Sequence, residues 1–533
     1  MLSTPSYPDS RVVETIYGKV QGRRLIHQGD KQANAFQGIP FASPPVGELR
    51  FKKPVPPASW EGIRRTKKFA ARSIQDPSNP QDYAINGIPS EDCLYLNVFT
   101  PCWDAPEGGF PVMVFIHGGA FVSGEASSYG DINICENIVS RGIVFVTIQY
   151  RLGYLGFFTT GDSTCPGNFA LWDQAEALKW IQMNIHAFGG NKNNITLVGQ
   201  SAGAACVDML HLSPHSTGLF HKAICMAGTA ECRWATNSDM VKQSAEKVRR
   251  LGITEYGNSD ELLTKLRAIP AEQFGVGLFT QIMHDEDTDF ETQPNLDGDF
   301  FPESFDKLRV KAIPKPIMTG VTKEEGLLLM QGMKSNNEGL QTTMKLATLK
   351  KKIKETLSKE LRDKFIGDIK QDDGDKFMRA LAGITADSMF LAGTLELCRK
   401  TVELQKEPVF LYVFEHYTPA NMGFLSNLLP LQEATHTCEL FYLFKKSLFG
   451  EVPITEMEAH IINIYTTACT NFAKYGNPNS DDGFDSDFPE RWKSIDRENY
   501  SQNFVFTSTE PYMSNQFFEG RTADFINILN HHE

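Results

Sequence analysis

The sequence predicts an α/β fold, a large mostly parallel sheet with helices on both faces and long loop insertions, in a single domain over residues 1–533. Three observations predict it. Pro111-Val-Met-Val-Phe-Ile116 and Gly142-Ile-Val-Phe-Val-Thr-Ile-Gln-Tyr150 are apolar runs of the kind found in strands covered on both faces. Such runs alternate along the chain with helical periodicity, which is the pattern of a parallel sheet flanked by helices. Gly199-Gln-Ser-Ala-Gly203 lies between the apolar run Ile195-Thr-Leu-Val198 and a helix-forming segment, so a serine sits on a strand-to-helix turn.

In chain order, residues 12–26 alternate about a Tyr-Gly turn and predict a hairpin. Residues 38–57, rich in Pro and Gly, read as loop. Leu94-Tyr-Leu-Asn-Val-Phe99 precedes the two apolar strands. A helix follows between Phe169 and Phe188, with Leu171, Ala175, Leu178 and Ile181 on one face. Beyond the serine turn, strands are expected at 221–227, 316–321 and 408–415. A helix with an apolar stripe is expected from Leu346 to Phe365, its lysines on a solvated face. Another spans Glu456 to Tyr475 and breaks at Gly476-Asn477-Pro478.

Composition narrows the function classes. The 41% hydrophobic and 22% charged residues are ordinary for a globular protein, and no linker or charge block divides the chain. A net charge of −13, from 52 basic and 65 acidic residues, argues against nucleic acid and anionic membrane surfaces as partners. The first ten residues lack a basic segment followed by an apolar one, so no signal peptide is expected. No apolar run of about 18 residues appears, so no membrane span is expected either. The ten cysteines show no metal spacing. The sequons at Asn194 and Asn499 are then chance matches, and no cofactor or metal is implied.

A serine hydroxyl is a weak nucleophile at neutral pH. It needs a base, a group that orients the base, and donors for the oxyanion that forms. His117-Gly-Gly-Ala-Phe121 follows the strand 111–116, and its glycine pair leaves backbone N–H groups unobstructed. With Ala202, the residue after the serine, Gly118 and Gly119 are the candidate oxyanion donors. If the base follows an acid that follows Ser201, the candidates are His416, His436, His460 and the terminal pair His531 and His532. His416 ends a strand and His460 lies within a helix, whereas His436 opens a helix from a polar loop. For the acid, Glu324 and Glu325 both stand just past the strand 316–321, and Asp297 is a rival.

With these residues assembled, the chain resembles the type-B carboxylesterase/cholinesterase family of α/β-hydrolases over nearly its whole length. The resemblance rests on Phe36-Gln-Gly-Ile-Pro-Phe-Ala42, Glu91-Asp-Cys-Leu-Tyr-Leu-Asn97, His117-Gly-Gly-Ala-Phe121, Tyr150-Arg-Leu-Gly153, Asp173-Gln174 and Gly199-Gln-Ser-Ala-Gly203. It implies a serine esterase that forms an acyl-enzyme on a Ser201, Glu325, His436 triad. Glu325 matches the residue before the glycine of the family's acid motif, and His436-Thr-Cys-Glu-Leu440 matches its H-x-x-E-L motif. Gly118, Gly119 and Ala202 match its oxyanion donors. The base must be neutral to act, so activity is expected to fall on the acid side.

Departures from the family pattern refine the expectation. Each disulfide of the secreted members lacks a partner here: no cysteine precedes Cys93, none lies between Cys232 and Cys398, and none follows Cys469. The resemblance therefore implies a reduced, cytoplasmic enzyme. Between Phe69 and Glu91, where cholinesterases carry a tryptophan, Tyr83 is the one aromatic, and Gln200 stands in place of their glutamate. A cation–π site for choline is poorly supported, and the expected partner is a small-molecule ester. Lipase or amidase activity on the same triad, and a non-catalytic binding role of the neuroligin kind, are the alternatives. Loops around 280–300 and 420–432 are expected to set substrate preference.

Overall fold

The computed structural model describes residues 7–26, 28–76, 88–278, 281, 290–330, 359–365, 367, 374–448, 452–480 and 490–530. The chain forms two compact units. The first takes the described residues of Met1–Ile224, Trp234–Lys315 and Ala473–Gly476; the second takes those of Cys225–Arg233, Pro316–Phe472 and Asn477–Glu533.

In the first unit the strands are β1 (Asp9–Thr15), β2 (Gly18–Ile26), β3 (Ala33–Pro40), β4 (Ile63–Arg65), β5 (Tyr95–Pro101), β6 (Phe110–Ile116), β7 (Val144–Ile148) and β8 (Gly190–Gln200). They lie in the order β1-β2-β3-β5-β7-β6-β8, with β4 paired to β2. Pairing is antiparallel from β1 through β5 to β7, then parallel for β7/β6 and β6/β8. The expected hairpin is β1/β2, closed across Ile16-Tyr17. β3 runs to Pro40 and so claims the start of the stretch read as loop. A register shift between Phe36 and Ile39 sits at Gly38, whose N–H donates to Asn97 Oδ1 at 2.9 Å.

Helix α1 (Phe169–Asn184) differs from a one-faced amphipathic helix. Residues on every side of it are buried, including Asp173, Gln174 and Trp180. Its charge is compensated: Arg151 donates Nε and Nη2 to Asp173 at 2.7 and 2.6 Å. Arg50 grips Glu91 in the same two-bonded way, at 2.6 Å twice. Arg151 and Asp173 therefore hold a buried ion pair, in which removing one partner would strand a charge, and the Arg50–Glu91 pair is partly buried. Helix α2 (Ala202–Leu212) follows the serine and is buried throughout. Strand β9 (Lys222–Met226) contains the point at which the chain passes from the first unit to the second.

The second unit orders its strands β10 (Ile317–Thr322), β11 (Val409–Phe414), β12 (Asn503–Phe506) and β13 (Tyr512–Ser514). β10/β11 and β11/β12 are parallel, and β13 closes the edge antiparallel. Helix α3 (Gly374–Ala386) continues through a π segment, Asp387–Leu391, into α4 (Ala392–Leu404). The run Asp375–Leu404 is the one helix among the described residues long and apolar enough to cross a membrane, and 72% of its apolar window is buried in the fold. A buried core helix has the same composition. Two more helices follow, α5 (Leu440–Phe444) and α6 (Glu456–Tyr475), the latter with the bounds its sequence predicts. Of the helix expected from Leu346, only Lys359–Phe365 lies within the described residues.

Candidate active site

Ser201 joins β8 to α2 with φ 58° and ψ −128°, a conformation that side chains avoid and that costs about 1–3 kcal/mol. Two glycines make it possible. A Cβ on Gly203 would stand 2.1 Å from the carbonyl oxygen of Ile116, and one on Gly199 would stand 2.3 Å from that of Gly203. The start of α2 is thus pressed against the end of β6, backbone on backbone. Gln200 and Ala202 are buried, but Ser201 between them is partly exposed.

The loop after β6 lies directly against this turn. A Cβ on Gly118 would meet the Gln200 carbonyl at 2.5 Å and the Ser201 Cβ at 3.0 Å. The described peptides are all trans, so each N–H points opposite the carbonyl before it. Tyr150 donates its hydroxyl to the His117 carbonyl at 2.6 Å, which turns the Gly118 N–H the other way. His117 Nδ1 donates to the Gly118 carbonyl at 2.9 Å, which does the same for the Gly119 N–H. A carbonyl can only accept, so His117 carries its proton on Nδ1. Burial pushes its pKa down to about 4, and it stays neutral. Its ring stacks on Tyr150 with centroids 4.4 Å apart. Downstream, Gln75 holds Gly124 by donating to its carbonyl and accepting from its N–H, both at 3.2 Å. The structure thus gathers Gly118, Gly119, Ser201 and Ala202 in the first unit.

In the second unit it gathers Glu325 and His436. Glu325 opens a 3₁₀ turn, Glu325–Met330, just past β10, where it is fully buried. Its Oε1 accepts from the Thr322 N–H at 2.6 Å, and its Oε2 accepts from His436 Nδ1 at 2.5 Å. With the proton on Nδ1, Nε2 carries the basic lone pair. The loops that present the pair are stitched together: Glu324 N–H donates to the Ala434 carbonyl at 2.8 Å, and Leu328 N–H donates to Thr435 Oγ1 at 3.0 Å. Phe390, in the π segment, lies against the imidazole with ring centroids 4.5 Å apart. Sequence periodicity gave no signal for Phe390, because a π turn breaks the 3.6-residue pattern. Glu439 of the H-x-x-E-L motif is fully buried, and burial with the Glu325 charge pushes its carboxyl well above the usual carboxylate range.

The other candidates fall into place separately. The Glu324 carboxyl does not share the Glu325 bond to His436; burial pushes its pKa up to about 7, against the opposing pull of Arg521 and Arg379. His416 Nδ1 pairs with Ser508 Oγ at 2.8 Å. His460 is exposed on α6. Asp297 Oδ1 accepts from the N–H groups of Asp299 and Phe301 at 3.1 and 3.0 Å, a turn-closing role. His531, His532, Tyr83 and most of 280–289 lie outside the described residues. A cavity of about 800 Å³ in the first unit, lined by Thr159, Asp162, Asn237, Asn295 and Asp297 among others, includes neither histidine nor cysteine.

The chain is similar to known proteins over nearly its whole length. A family model described as the carboxylesterase family matches residues 9–524. Esterase cest-33 of Caenorhabditis elegans is 35% identical over 529 residues, covering 95% of this chain and 91% of that protein. Cocaine esterase of Homo sapiens is 34% identical over 499 residues, covering 89% of this chain and 85% of its own. Neuroligin-2 of Homo sapiens is 27% identical over 586 residues, covering 98% of this chain and 68% of its own.

Proposed function

The chain belongs to the carboxylesterase family, whose fold is that of the α/β-hydrolases, and is a carboxylic ester hydrolase; we propose that it works by two-step acyl transfer on Ser201. Ser201 Oγ attacks the ester carbonyl while His436 Nε2 takes its proton. Glu325 orients the imidazole through Nδ1 and stabilises the positive charge that develops on it. The amides of Gly118, Gly119 and Ala202 receive the oxyanion. His436 returns the proton to the departing alcohol, then activates the water that releases the acid and restores Ser201.

The observation that carries this reading is the 2.5 Å bond between Glu325 Oε2 and His436 Nδ1, both side chains buried. A buried carboxylate on Nδ1 fixes the tautomer whose Nε2 can act as a base. The strained, partly exposed Ser201 beside Gly118 supports the nucleophile's role, and the pinned carbonyls of His117 and Gly118 support that of the donors. Neutral small-molecule esters are the proposed substrates; cocaine esterase is the name of a relative, and no ester is carried over from it. A reducing, cytoplasmic compartment completes the proposal. The Cys93 and Cys206 thiols are pushed up to about 12 by burial, which keeps them protonated and unreactive.

A panel of p-nitrophenyl esters graded in acyl length, run with acetylthiocholine, tests the reading. Wild-type protein should hydrolyse the neutral esters far better than the choline ester, and an organophosphate should label one serine and stop turnover. Ser201→Ala should do neither. Labelling or turnover retained in Ser201→Ala would overturn the mechanism, and equal turnover of the choline ester would overturn the substrate class.

A further inference from the structure

Three consecutive residues after Gly118 have positive φ: Gly119 at 113°, Ala120 at 51° and Phe121 at 63°. Glycine tolerates this region, but Ala120 and Phe121 do not enter it without strain. Something must hold them there. The Gly119 carbonyl accepts from the N–H groups of Val122 and Ser123 at 3.0 and 2.9 Å, and the Phe121 carbonyl accepts from the Gly153 N–H at 2.9 Å. The carbonyl between them, that of Ala120, is held by a side chain. Gln281 Nε2 donates to it at 3.1 Å.

Gln281 is itself locked. It is fully buried, and its carboxamide makes a two-bonded pair with the Thr292 backbone, donating to the carbonyl at 2.8 Å and accepting from the N–H at 3.3 Å. The Thr292 N–H can only donate, so it fixes which end of the carboxamide is oxygen. The second Nε2 hydrogen is thereby aimed at Ala120. Bringing Phe121 out of the left-handed region requires the Ala120–Phe121 peptide to rotate, and that rotation breaks the Gln281 bond. Gly119 is one residue upstream on the same strained loop.

We propose that Gln281 is a positioning residue for ester hydrolysis: by holding the Ala120 carbonyl it keeps the strained 119–121 loop in the shape that aims the Gly119 amide. The proposal rests on the reading of Gly118 and Gly119 as oxyanion donors. Gln281 touches no reacting atom. Its loss misplaces a donor rather than deleting one, so the effect is smaller than the 10²–10³-fold of a deleted donor, about 10- to 100-fold in kcat.

The test compares Gln281→Met, which removes both donors, with Gln281→Glu, which keeps the shape but puts an oxygen toward the Ala120 carbonyl. Turnover is counted per site titrated with an organophosphate, so a partly folded preparation still reports. Both variants should lose about 10- to 100-fold in kcat per site with KM within about threefold. An aryl trifluoromethyl ketone, which binds as a hemiketal oxyanion, should lose affinity by the same factor as kcat/KM. A purely structural role would lower the melting temperature and leave these per-site quantities alone. A kcat per site within twofold of wild type, or ketone affinity unchanged while kcat/KM falls, overturns the proposal. Ser201→Ala runs alongside: if it still turns over, the acyl-transfer reading has failed, and if it is dead while the Gln281 variants match wild type, only the positioning role has.

Discussion

At the Ser201 turn, geometry is held by backbone against backbone: glycines whose Cβ atoms would stand 2.1–2.5 Å from carbonyl oxygens, and φ angles that other residues avoid. At the Glu325–His436 pair, geometry is held by a side-chain hydrogen bond between residues 111 apart in sequence, inside a buried setting dense with titratable groups. The first region depends chiefly on the absence of atoms, and its titratable brace, His117, stays neutral above about pH 4 because burial pushes its pKa down. The second depends on which atoms carry protons. A catalytic serine needs both kinds of construction, one to present the nucleophile and donors and one to move a proton.

The largest expected effects test whether the two regions act as one unit. Ser201→Ala and His436→Ala should each lower kcat by about 10⁴- to 10⁶-fold, and the double variant should be no worse than either single one. Losses that multiply in the double variant would mean that the regions contribute independently. Glu325→Gln comes next. An amide facing Nδ1 can donate to it and move the imidazole proton to Nε2, the nitrogen that must be basic. A loss of about 10⁴-fold in kcat in a folded protein is expected, and a loss under tenfold would remove Glu325 from the mechanism.

The backbone-held region should answer to volume instead. In Gly118→Ala the new methyl meets the Gln200 carbonyl at 2.5 Å and the Ser201 Cβ at 3.0 Å, so the loop must move off the serine. About 10²–10³-fold in kcat should be lost, with the pH profile unchanged in shape. Gly203→Ala, 2.1 Å from the Ile116 oxygen, should yield little folded protein. A crystal structure of Gly118→Ala with the loop unmoved, or activity within threefold of wild type, would show that steric exclusion is not what the glycine is for.

The same contrast governs how much of the molecule could be read from its sequence. The turn was legible because only glycine fits at Gly199 and Gly203, and β6 and β7 because a strand buried on both faces is written as an unbroken apolar run. The acid and base were not legible on physics alone. Glu324 and Glu325 are neighbours with the same chemistry, and the choice between them is made by a bond to a residue 111 positions away. It took the family resemblance to name Glu325 and His436. The long helix α3–α4 escaped because the π segment Asp387–Leu391 slips its apolar stripe by a residue midway. β12 and β13 escaped because four and three residues are too few for a period. Gln281 escaped because a buried amide that braces a strained loop leaves no spacing at all.

Glu324 offers the smallest effect and the sharpest separation from its neighbour. Its pKa is pushed from 4.5 up to about 7, chiefly by burial, with the Glu433 charge adding and the Arg521, Arg379 and Lys323 charges opposing. A carboxyl whose folded pKa is raised holds more protons folded than unfolded between those values. Stability therefore falls as pH rises through that window, and the loss is complete above about 7. The penalty reaches up to about 3 kcal/mol, at about 1.4 kcal/mol for each pH unit between the two values. Glu324→Gln cannot ionise, so it should match wild type in stability near pH 4.5 and exceed it increasingly up to pH 8, by urea denaturation at matched ionic strength. Its kcat should stay within about threefold of wild type, because the bond to His436 belongs to Glu325. A stability gain that does not grow with pH would mean that Glu324 is ionised in the folded enzyme. A collapse of kcat to the level of Glu325→Gln would mean that the adjacent carboxylates share the work assigned to one of them.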